Sequence, residues 1–244
     1  MFQTNVCNRE EPVDTSIAKS SITEPDGLTK ARLLDVAERL FADHGVDGTS
    51  LRQITKEAET NLAAVNYYFS SKDGLIAAVF ARRLEPLSVE QSALLDAVEQ
   101  GAGEQPARLE DVLRAIIQPA VIGEGSLHKG HEPFRRLMGR VFTEPGSQLQ
   151  LLVKNQFEKV SQRFDRLLTR SLPQLSPEEV FWRRQFLVGA LHRVLLISDK
   201  PESYAAPGLH PSFEPHRMVE QLVDFAAAGF RLPPSAENQK RGNP

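Results

Sequence analysis

The sequence predicts an all-α protein of about nine helices. Apolar residues recur at helical spacing along most of the chain, and clusters of glycine and proline separate the resulting segments. No stretch alternates polar and apolar residues with a period of two, so no strand is predicted. With 244 residues, 41% of them hydrophobic and 25% charged, the chain is long enough to bury a core of its own.

The composition argues against several classes of protein. Cys7 is the single cysteine, so an intrachain disulfide is impossible. No apolar run approaches the roughly 20 residues that a membrane-spanning helix needs, and the first residues lack a signal-peptide pattern. These features predict a cytoplasmic protein with no membrane partner. The net charge of −3 provides no overall positive field for a polyanion.

The first helix is predicted to begin near Leu28, after a polar segment, residues 1–26, that we expect to be disordered. Its apolar residues form one face of an amphipathic helix: Leu33, Leu34, Ala37, Leu40 and Phe41. Gly45 is suited to end this helix in a left-handed conformation.

Two short helices follow, each with a capping signal at its start. Ser50 is a predicted N-cap with Gln53 three residues later, and this second helix should bury Leu51, Ile54 and Ala58. Asn61 is a predicted N-cap for a third helix over about Leu62–Tyr68. Its inward-facing residues should be Leu62, Val65 and Phe69.

The remainder of the chain also has helical patterns. Ser71 is predicted to cap a long fourth helix that Pro86 should kink or briefly interrupt. Further helices are predicted near residues 107–122, 133–143, 147–171, 177–198 and 214–230.

The second and third helices form a candidate helix–turn–helix, in which one helix can enter a DNA major groove. The outward residues of the third helix include Ala63, Asn66, Tyr67 and Tyr68. An Asn side chain can hydrogen-bond a base edge, a small Ala can approach a thymine methyl group, and a Tyr hydroxyl can reach phosphate. Residues 28–72 contain six Lys or Arg and six Asp or Glu. DNA binding would therefore depend on local geometry.

The chain from about Leu28 to Val79 resembles the tetracycline-repressor family of bacterial transcriptional regulators. The matching segments are RLLDVAERLFADHGVDGTSLRQI, NLAAVNYYF and SKDGLIAAVF. The resemblance implies that three N-terminal helices bind DNA, that a helical C-terminal domain binds a small ligand, and that the protein is a homodimer. By position it implies the following DNA contacts: Thr49, Arg52, Ala63, Asn66, Tyr67, Tyr68 and Lys72.

The turn of the motif departs from the family pattern at two positions. Glu59 occupies a position that is commonly Gly, and Thr60 follows where Val is common. A left-handed backbone at Glu59 would cost about 1 kcal/mol or more. Both departures bear on the affinity for DNA more than on the fold.

The last two predicted helices have broad apolar faces. These faces could complete a core within the chain, or they could pair with their copies across a twofold axis, as the resemblance implies. We expect the second arrangement, with the following interface residues: Phe181, Leu187, Leu191, Val194, Leu195, Val219, Leu222, Val223 and Ala226.

The middle helices are predicted to enclose a ligand site. Its candidate apolar residues are Phe134, Leu137, Met138, Val141, Phe142 and Phe157, although each could instead be ordinary core. Candidate polar anchors are Arg135, Arg136, Arg140, His128, His131 and His192, although a solvated helix face would also explain most of the arginines.

These observations predict a DNA-binding domain over residues 27–72, a ligand-binding and dimerisation domain over 73–232, and a disordered tail over 233–244. The leading hypothesis is a repressor released from a palindromic operator by a small hydrophobic effector. The alternative is a ligand-binding or protein-interaction module with a weakened DNA-binding head. No catalytic motif, cofactor or metal site is predicted, since His128 and His131 lie in a glycine-rich loop without cysteine pairs, although Glu124 and Glu132 could complete a site.

Overall fold

The computed structural model describes residues 26–123, 132–143, 148–198 and 200–234, apart from a few side chains within them. This part of the chain contains nine α-helices, one 3₁₀ turn over Pro201–Tyr204, and no strand, which confirms the predicted all-α fold. The helices are α1 (Asp26–His44), α2 (Leu51–Glu57), α3 (Leu62–Phe69), α4 (Lys72–Ala102), α5 (Leu109–Ile122), α6 (Glu132–Thr143), α7 (Gln148–Ser171), α8 (Pro177–Ile197) and α9 (Pro215–Arg231).

The predicted caps begin the short N-terminal helices. Ser50 Oγ accepts a hydrogen bond from the Gln53 amide at 3.2 Å, and Asn61 Oδ1 accepts one from the Ala64 amide at 3.0 Å. Gly45 ends α1 with a φ of 77°, and its amide donates to the Phe41 carbonyl at 3.0 Å. Because each cap depends on residues within four positions, local sequence was sufficient to predict them.

Of the kink or short break predicted at Pro86, the break is wrong. Helix α4 continues through Pro86, which is exposed, from Lys72 to Ala102. Leu84 and Leu87 are buried on either side of the proline. Their packing offsets the hydrogen bond that proline cannot donate, so tertiary contacts override the local preference.

Two hydrophobic clusters form the core. The head cluster joins α1, α2, α3 and the first half of α4 to α6 and the start of α7. The body cluster joins the rest of α4 to α5, α7, α8 and α9. The domain boundary predicted at residue 72 therefore lies where α4 begins, inside the packing of the head cluster.

Ion pairs connect α1 to α4 and α6. The Glu38 carboxylate is buried and accepts hydrogen bonds from Arg82 Nη2 at 2.7 Å and from Arg83 Nε at 2.9 Å. Near the other end of α1, Arg136 Nη2 of α6 donates to Asp43 Oδ1 at 2.8 Å. These contacts connect α1, which shares the head cluster with α2 and α3, to α4 and α6.

No helix among the residues that the structure describes is both long and apolar enough to cross a membrane.

Candidate nucleic-acid interface and ligand cavity

Helix α3 has one buried face and one exposed face. Val65 and Phe69 are buried in the head cluster, which fixes the rotation of the helix about its axis. Ala63, Asn66 and Tyr67 lie on the opposite side, where 73% of Tyr67 is exposed. The outward face therefore combines a small residue, an amide and a phenol, a set that can contact bases and phosphates.

Two residues of α3, Leu62 and Tyr68, differ in burial from what the sequence predicted. Leu62, predicted to face inward, is 41% exposed because it lies in the first turn, beyond the part of α3 that covers the core. Tyr68 is half-buried against the head cluster, with its ring 4.9 Å from Tyr67 and 6.0 Å from Phe69 between centroids. Tyr68 thus supports the ring of Tyr67, and its own role in DNA binding stays a prediction.

Thr49 requires a correction. Its side chain is 1% exposed, and its hydroxyl lies 2.7 Å from the Gly45 carbonyl and 3.1 Å from the Leu40 carbonyl as a donor. A hydroxyl held in this way cannot reach a phosphate. Thr49 instead ties the segment after α1 back to the carbonyls of Leu40 and Gly45.

Cations flank the exposed face of α3. Arg52 of α2 is exposed, and Lys72 is half-buried at the first position of α4, where amide groups favour phosphate. Lys56 is also exposed on α2, although it was not among the predicted DNA contacts. Arg39 Nη2 donates to Glu57 Oε2 at 2.6 Å and holds the pKa of that carboxyl below its usual range.

The turn between α2 and α3 contains a non-glycine residue in the left-handed region. Glu59 has a φ of 50°, and its side chain is exposed. The Thr60 amide donates to the Thr55 carbonyl at 2.9 Å, which closes the turn behind it. The backbone that the resemblance implied is therefore retained at the cost of steric strain.

A cavity of about 530 Å³ lies between α4, α5, α6, α7 and α8. Met138 and Phe157 line it, as predicted. Three other predicted residues, Phe134, Leu137 and Val141, are not among its lining residues and are buried in the head cluster, whereas Met138 belongs to both. Phe134 packs there against Phe80, with ring centroids 5.5 Å apart. The predicted Phe142 side chain lies outside the described residues.

The candidate polar anchors also divide into residues that line the cavity and residues that do not. Arg135 and His192 line the cavity, whereas Arg136 forms ion pairs with Asp43 and Glu132 outside it. The Arg140 side chain and both residues of the histidine loop, His128 and His131, lie outside the described part of the chain.

Much of the cavity wall consists of residues that were not predicted to line it. Leu187, Leu191 and Leu195 of α8 line the cavity, although they were predicted to form the dimer interface. Because α8 is apolar on more than one side, its sequence alone did not show which side faces the cavity. Gln91, Asp165 and Arg184 also line it.

Burial shifts the pKa values of two side chains that line the cavity, Asp165 and His192. Arg184 Nη1 lies 3.3 Å from Asp165 Oδ2, but Asp165 Oδ1 and Arg184 Nε are each buried without a protein hydrogen-bond partner. Desolvation raises the pKa of Asp165, and Arg184 partly offsets this shift. Burial and the neighbouring Arg193 lower the pKa of His192. Each charged form is therefore costly to maintain in this site.

The predicted interface residues of α9 are also corrected. Val219, Leu222, Val223 and Ala226 are buried in the body cluster, so α9 completes the core of its own chain. These side chains are not available to a second chain. Of the interface residues predicted on α8, Phe181 is exposed and Val194 is half-buried.

A different apolar surface remains exposed on α8 and α9. Its largest residues are Trp182, Phe186, Phe225 and Leu232, which border a single groove. Phe186 and Phe225 are 67% and 69% exposed. Arg183 Nη1 donates to the carbonyls of Phe230 at 2.8 Å and Leu232 at 2.7 Å, which ties α8 to the end of α9. We call this surface the aromatic groove.

Comparison with known proteins identifies two matching family domains. Residues 33–79 match the family described as bacterial regulatory proteins, tetR family. Residues 114–229 match the tetracyclin repressor-like C-terminal domain. The first match spans most of α1, all of α2 and α3, and the start of α4, and the second contains most residues of the cavity and of the aromatic groove.

Curated relatives resemble the N-terminal part of the chain. The probable HTH-type transcriptional regulator YttP of Bacillus subtilis is 44% identical over 48 residues, covering 20% of this chain and 23% of that protein. The HTH-type nicotine-responsive transcriptional repressor HdnoR of Paenarthrobacter nicotinovorans is 41% identical over 58 residues, covering 24% of this chain and 30% of that protein. The matches thus span less than a third of either relative.

A solved structure resembles the fold over a greater length. The TetR family transcriptional regulator PfmR of Thermus thermophilus has a TM-score of 0.53 and 16% sequence identity. The likeness covers 82% of this chain and 94% of that one. At this level of identity it supports the arrangement of helices alone.

Proposed function

Because the chain belongs to the tetracycline-repressor family of transcriptional regulators, we propose that it is a dimeric repressor that binds a palindromic operator and releases it when a small hydrophobic effector binds. The exposed face of α3 carries this proposal. Ala63, Asn66 and Tyr67 face outward, while buried Val65 and Phe69 hold the helix in place. The relative HdnoR, a nicotine-responsive transcriptional repressor, supports repression by analogy.

Footprinting on the DNA that flanks the protein's own gene tests operator binding. The expected result is a protected site with twofold symmetry at physiological salt, since a twofold protein places two recognition helices in successive or more distant major grooves. If no symmetric site is protected in flanking DNA, while the folded protein is present in excess, the proposal is wrong.

The aromatic groove supports the proposed dimer. A contiguous exposed apolar surface is unusual on a monomer, and aromatic residues are enriched in protein interfaces. The second copy of this chain is the proposed occupant because a palindromic site requires two heads related by a twofold axis. In this arrangement, the exposed faces of α8 and α9 from two chains form a four-helix bundle.

Helix α6 supports the proposed response to an effector. Arg135 and Met138 face the cavity, while Leu137 and Val141 belong to the head cluster. An effector that prefers one position of α6 would therefore move the contacts that α6 makes with α1. The effector could shift operator binding only to the extent that its affinities for the DNA-binding state and the released state differ.

A second candidate is a ligand-binding module with a weakened DNA-binding head, and Glu59 favours it. This exposed acid lies in the strained turn beside α3 and would repel phosphate. Gel shifts at several salt concentrations separate the two candidates. A weakened head would bind DNA with micromolar or poorer affinity and without sequence preference, as expected of nonspecific electrostatic binding.

A further inference from the structure

We propose that the cavity selects a neutral, largely apolar molecule with a hydroxyl or N–H group that donates a hydrogen bond to Gln91 Oε1. The inference rests on the proposed effector function, since it names the chemical class of molecule that the effector cavity takes. It follows from the burial of Gln91, from the hydrogen bond that orients its amide, and from the apolar wall around it.

Gln91 is the least exposed polar residue among the described residues of the cavity wall. It lies on α4 and is 4% exposed, yet it lines the cavity. Polar groups that are buried this deeply are nearly always hydrogen-bonded, because an unpaired group has lost its water without compensation. Both ends of the Gln91 amide are therefore expected to have a partner when the cavity is occupied.

The amide nitrogen of Gln91 has its partner within the chain. Nε2 donates to the Ile116 carbonyl of α5 at 2.9 Å. Because a carbonyl oxygen only accepts, the contact also fixes which end of the amide is the oxygen. The reverse orientation would place two acceptors against each other. The contact with Ile116 therefore holds the plane of the amide and determines the position of Oε1.

The amide oxygen of Gln91 accepts no hydrogen bond from the described part of the chain. It is also not one of the fully enclosed side-chain atoms that lack a partner there, such as Asp165 Oδ1. Oε1 therefore remains accessible from the cavity that Gln91 lines. Since an amide oxygen is an acceptor, the ligand group that completes its hydrogen bonding is a donor.

The wall around Gln91 is apolar. The other described lining residues of α4 and α5 are Leu87, Ile116 and Ala120, and of these Leu87 and Ala120 are buried. The charged residues among the described lining belong to α6, α7 and α8. A charged ligand group beside Gln91 would exchange its hydration for a neutral amide, which costs more than one hydrogen bond returns. The site beside Gln91 therefore favours a neutral donor.

The rest of the cavity suits an apolar body. Met138, Phe157, Leu187 and Leu191 line it, and its volume of about 530 Å³ falls within the range of roughly 300–1,000 Å³ that is typical of small-molecule sites. An apolar molecule without a donor would cover Gln91 and leave Oε1 unpaired. Sites that hydrogen-bond a ligand hydroxyl reject analogues that lack it for this reason.

Equilibrium dialysis of the full chain with matched probes tests the proposal. The pairs are 1-decanol with its isomer methyl nonyl ether, and 2-naphthol with 2-fluoronaphthalene. Within each pair, only the first molecule can donate a hydrogen bond. We expect the hydroxyl probe of at least one pair to bind about tenfold more tightly than its donor-free partner, the factor expected when a buried acceptor is otherwise left unpaired.

Variants of the full chain locate the effect. Gln91→Leu should abolish the preference for the hydroxyl probe without loss of affinity for the donor-free probe. Gln91→Glu should retain the preference, because a buried glutamic acid favours its neutral form. Its hydroxyl can donate to the Ile116 carbonyl while its carbonyl oxygen replaces Oε1. Gln185→Leu is the matched control and should also retain the preference, since Gln185 lines the cavity from α8. Thermal unfolding of each variant verifies that the fold is intact.

The outcomes separate this inference from the proposed function. Absence of binding by all four probes, equal affinities within both pairs, or an unchanged preference in Gln91→Leu would each overturn the inference. The first two results come from the unaltered chain, so they decide the question even if Gln91→Leu does not fold. If the hydroxyl probes bind through Gln91 but leave operator footprints unchanged, the ligand class stands and the proposed effector function fails. If the donor-free probes release the operator as effectively as their hydroxyl partners, the effector function stands and the inference fails.

Discussion

The buried hydroxyl of Thr49 has a structural role at the end of α1. We predict that Thr49→Val lowers the free energy of unfolding by about 1–3 kcal/mol, because the substitution removes a donor and leaves buried carbonyls of Leu40 and Gly45 short of a partner. Chemical denaturation measures the loss. Thr49→Ser retains the hydroxyl and should lose less. A loss of operator affinity in Thr49→Val with unchanged stability would instead favour direct DNA contact.

Glu59 combines backbone strain with an unfavourable charge. We predict that Glu59→Gly raises the free energy of unfolding by about 1 kcal/mol, because glycine adopts a φ of 50° without a clash at Cβ. Glu59→Ala is the matched control, since it also removes the carboxylate but keeps the Cβ. If the two variants are equally stable in urea titrations, the backbone at this turn is not strained.

Asn66 and Lys72 are predicted to affect DNA binding in different ways. Asn66→Ala should cost about 1–3 kcal/mol on the cognate site and relax its base preference, because the exposed amide can read a base edge. Lys72→Ala should weaken binding to all sequences alike and flatten the salt dependence, because a phosphate contact carries no sequence information. Fluorescence anisotropy with cognate and random duplexes distinguishes these effects. Equal losses on both duplexes for Asn66→Ala would contradict its assigned role.

At the scale of whole elements, α9 has a buried face and an exposed face with different roles. Leu222→Ala should lower the free energy of unfolding by about 2–5 kcal/mol, because Leu222 is buried in the body cluster. The double variant Phe186→Ala/Phe225→Ala removes one exposed ring from α8 and one from α9. It should instead weaken the dimer by about 2 kcal/mol or more, as expected for central aromatic residues of an interface. Sedimentation equilibrium measures the second effect.

Leu28→Ala is the control for the double variant, since Leu28 is an exposed apolar residue at the start of α1. Its dimer affinity should match that of the unaltered protein. A double variant that dimerises normally would show that the aromatic groove is not the interface.

At the scale of the whole molecule, burial of His192 predicts how stability depends on pH. Its pKa is lowered in the folded protein from an ordinary value of 6.5, so the unfolded chain binds more protons as the pH falls below 6.5. This contribution to stability is therefore present at higher pH and is lost as the pH falls toward the folded-state pKa. We expect His192→Gln to lose less stability than the unaltered protein between pH 7.5 and pH 5.5.

Urea titrations at several pH values measure this difference. His216→Gln is the control because it removes an exposed imidazole from α9. If His192→Gln shows the same loss of stability between these pH values as the unaltered protein, burial of His192 does not contribute to the pH dependence.

Sequence and structure agree best for features that depend on neighbouring residues. The caps at Ser50 and Asn61, the end of α1 at Gly45, and the segments forming α5 through α9 follow from neighbouring residues. Agreement is poorer for the cavity. Met138 and Phe157 line it as predicted, but Phe134 and Leu137 share the same apolar character and face the head cluster instead.

By itself, the sequence determined that the chain is helical and that Val65 and Phe69 of α3 face inward while Asn66 faces outward, because periodicity and capping depend on residues within about four positions. The tertiary structure alone decided that Thr49 is buried, that α9 completes its own core, and that α6 separates Arg135 from Leu137. Those outcomes depend on helices distant along the chain. An apolar face indicates that a helix must be covered, but only packing decides what covers it.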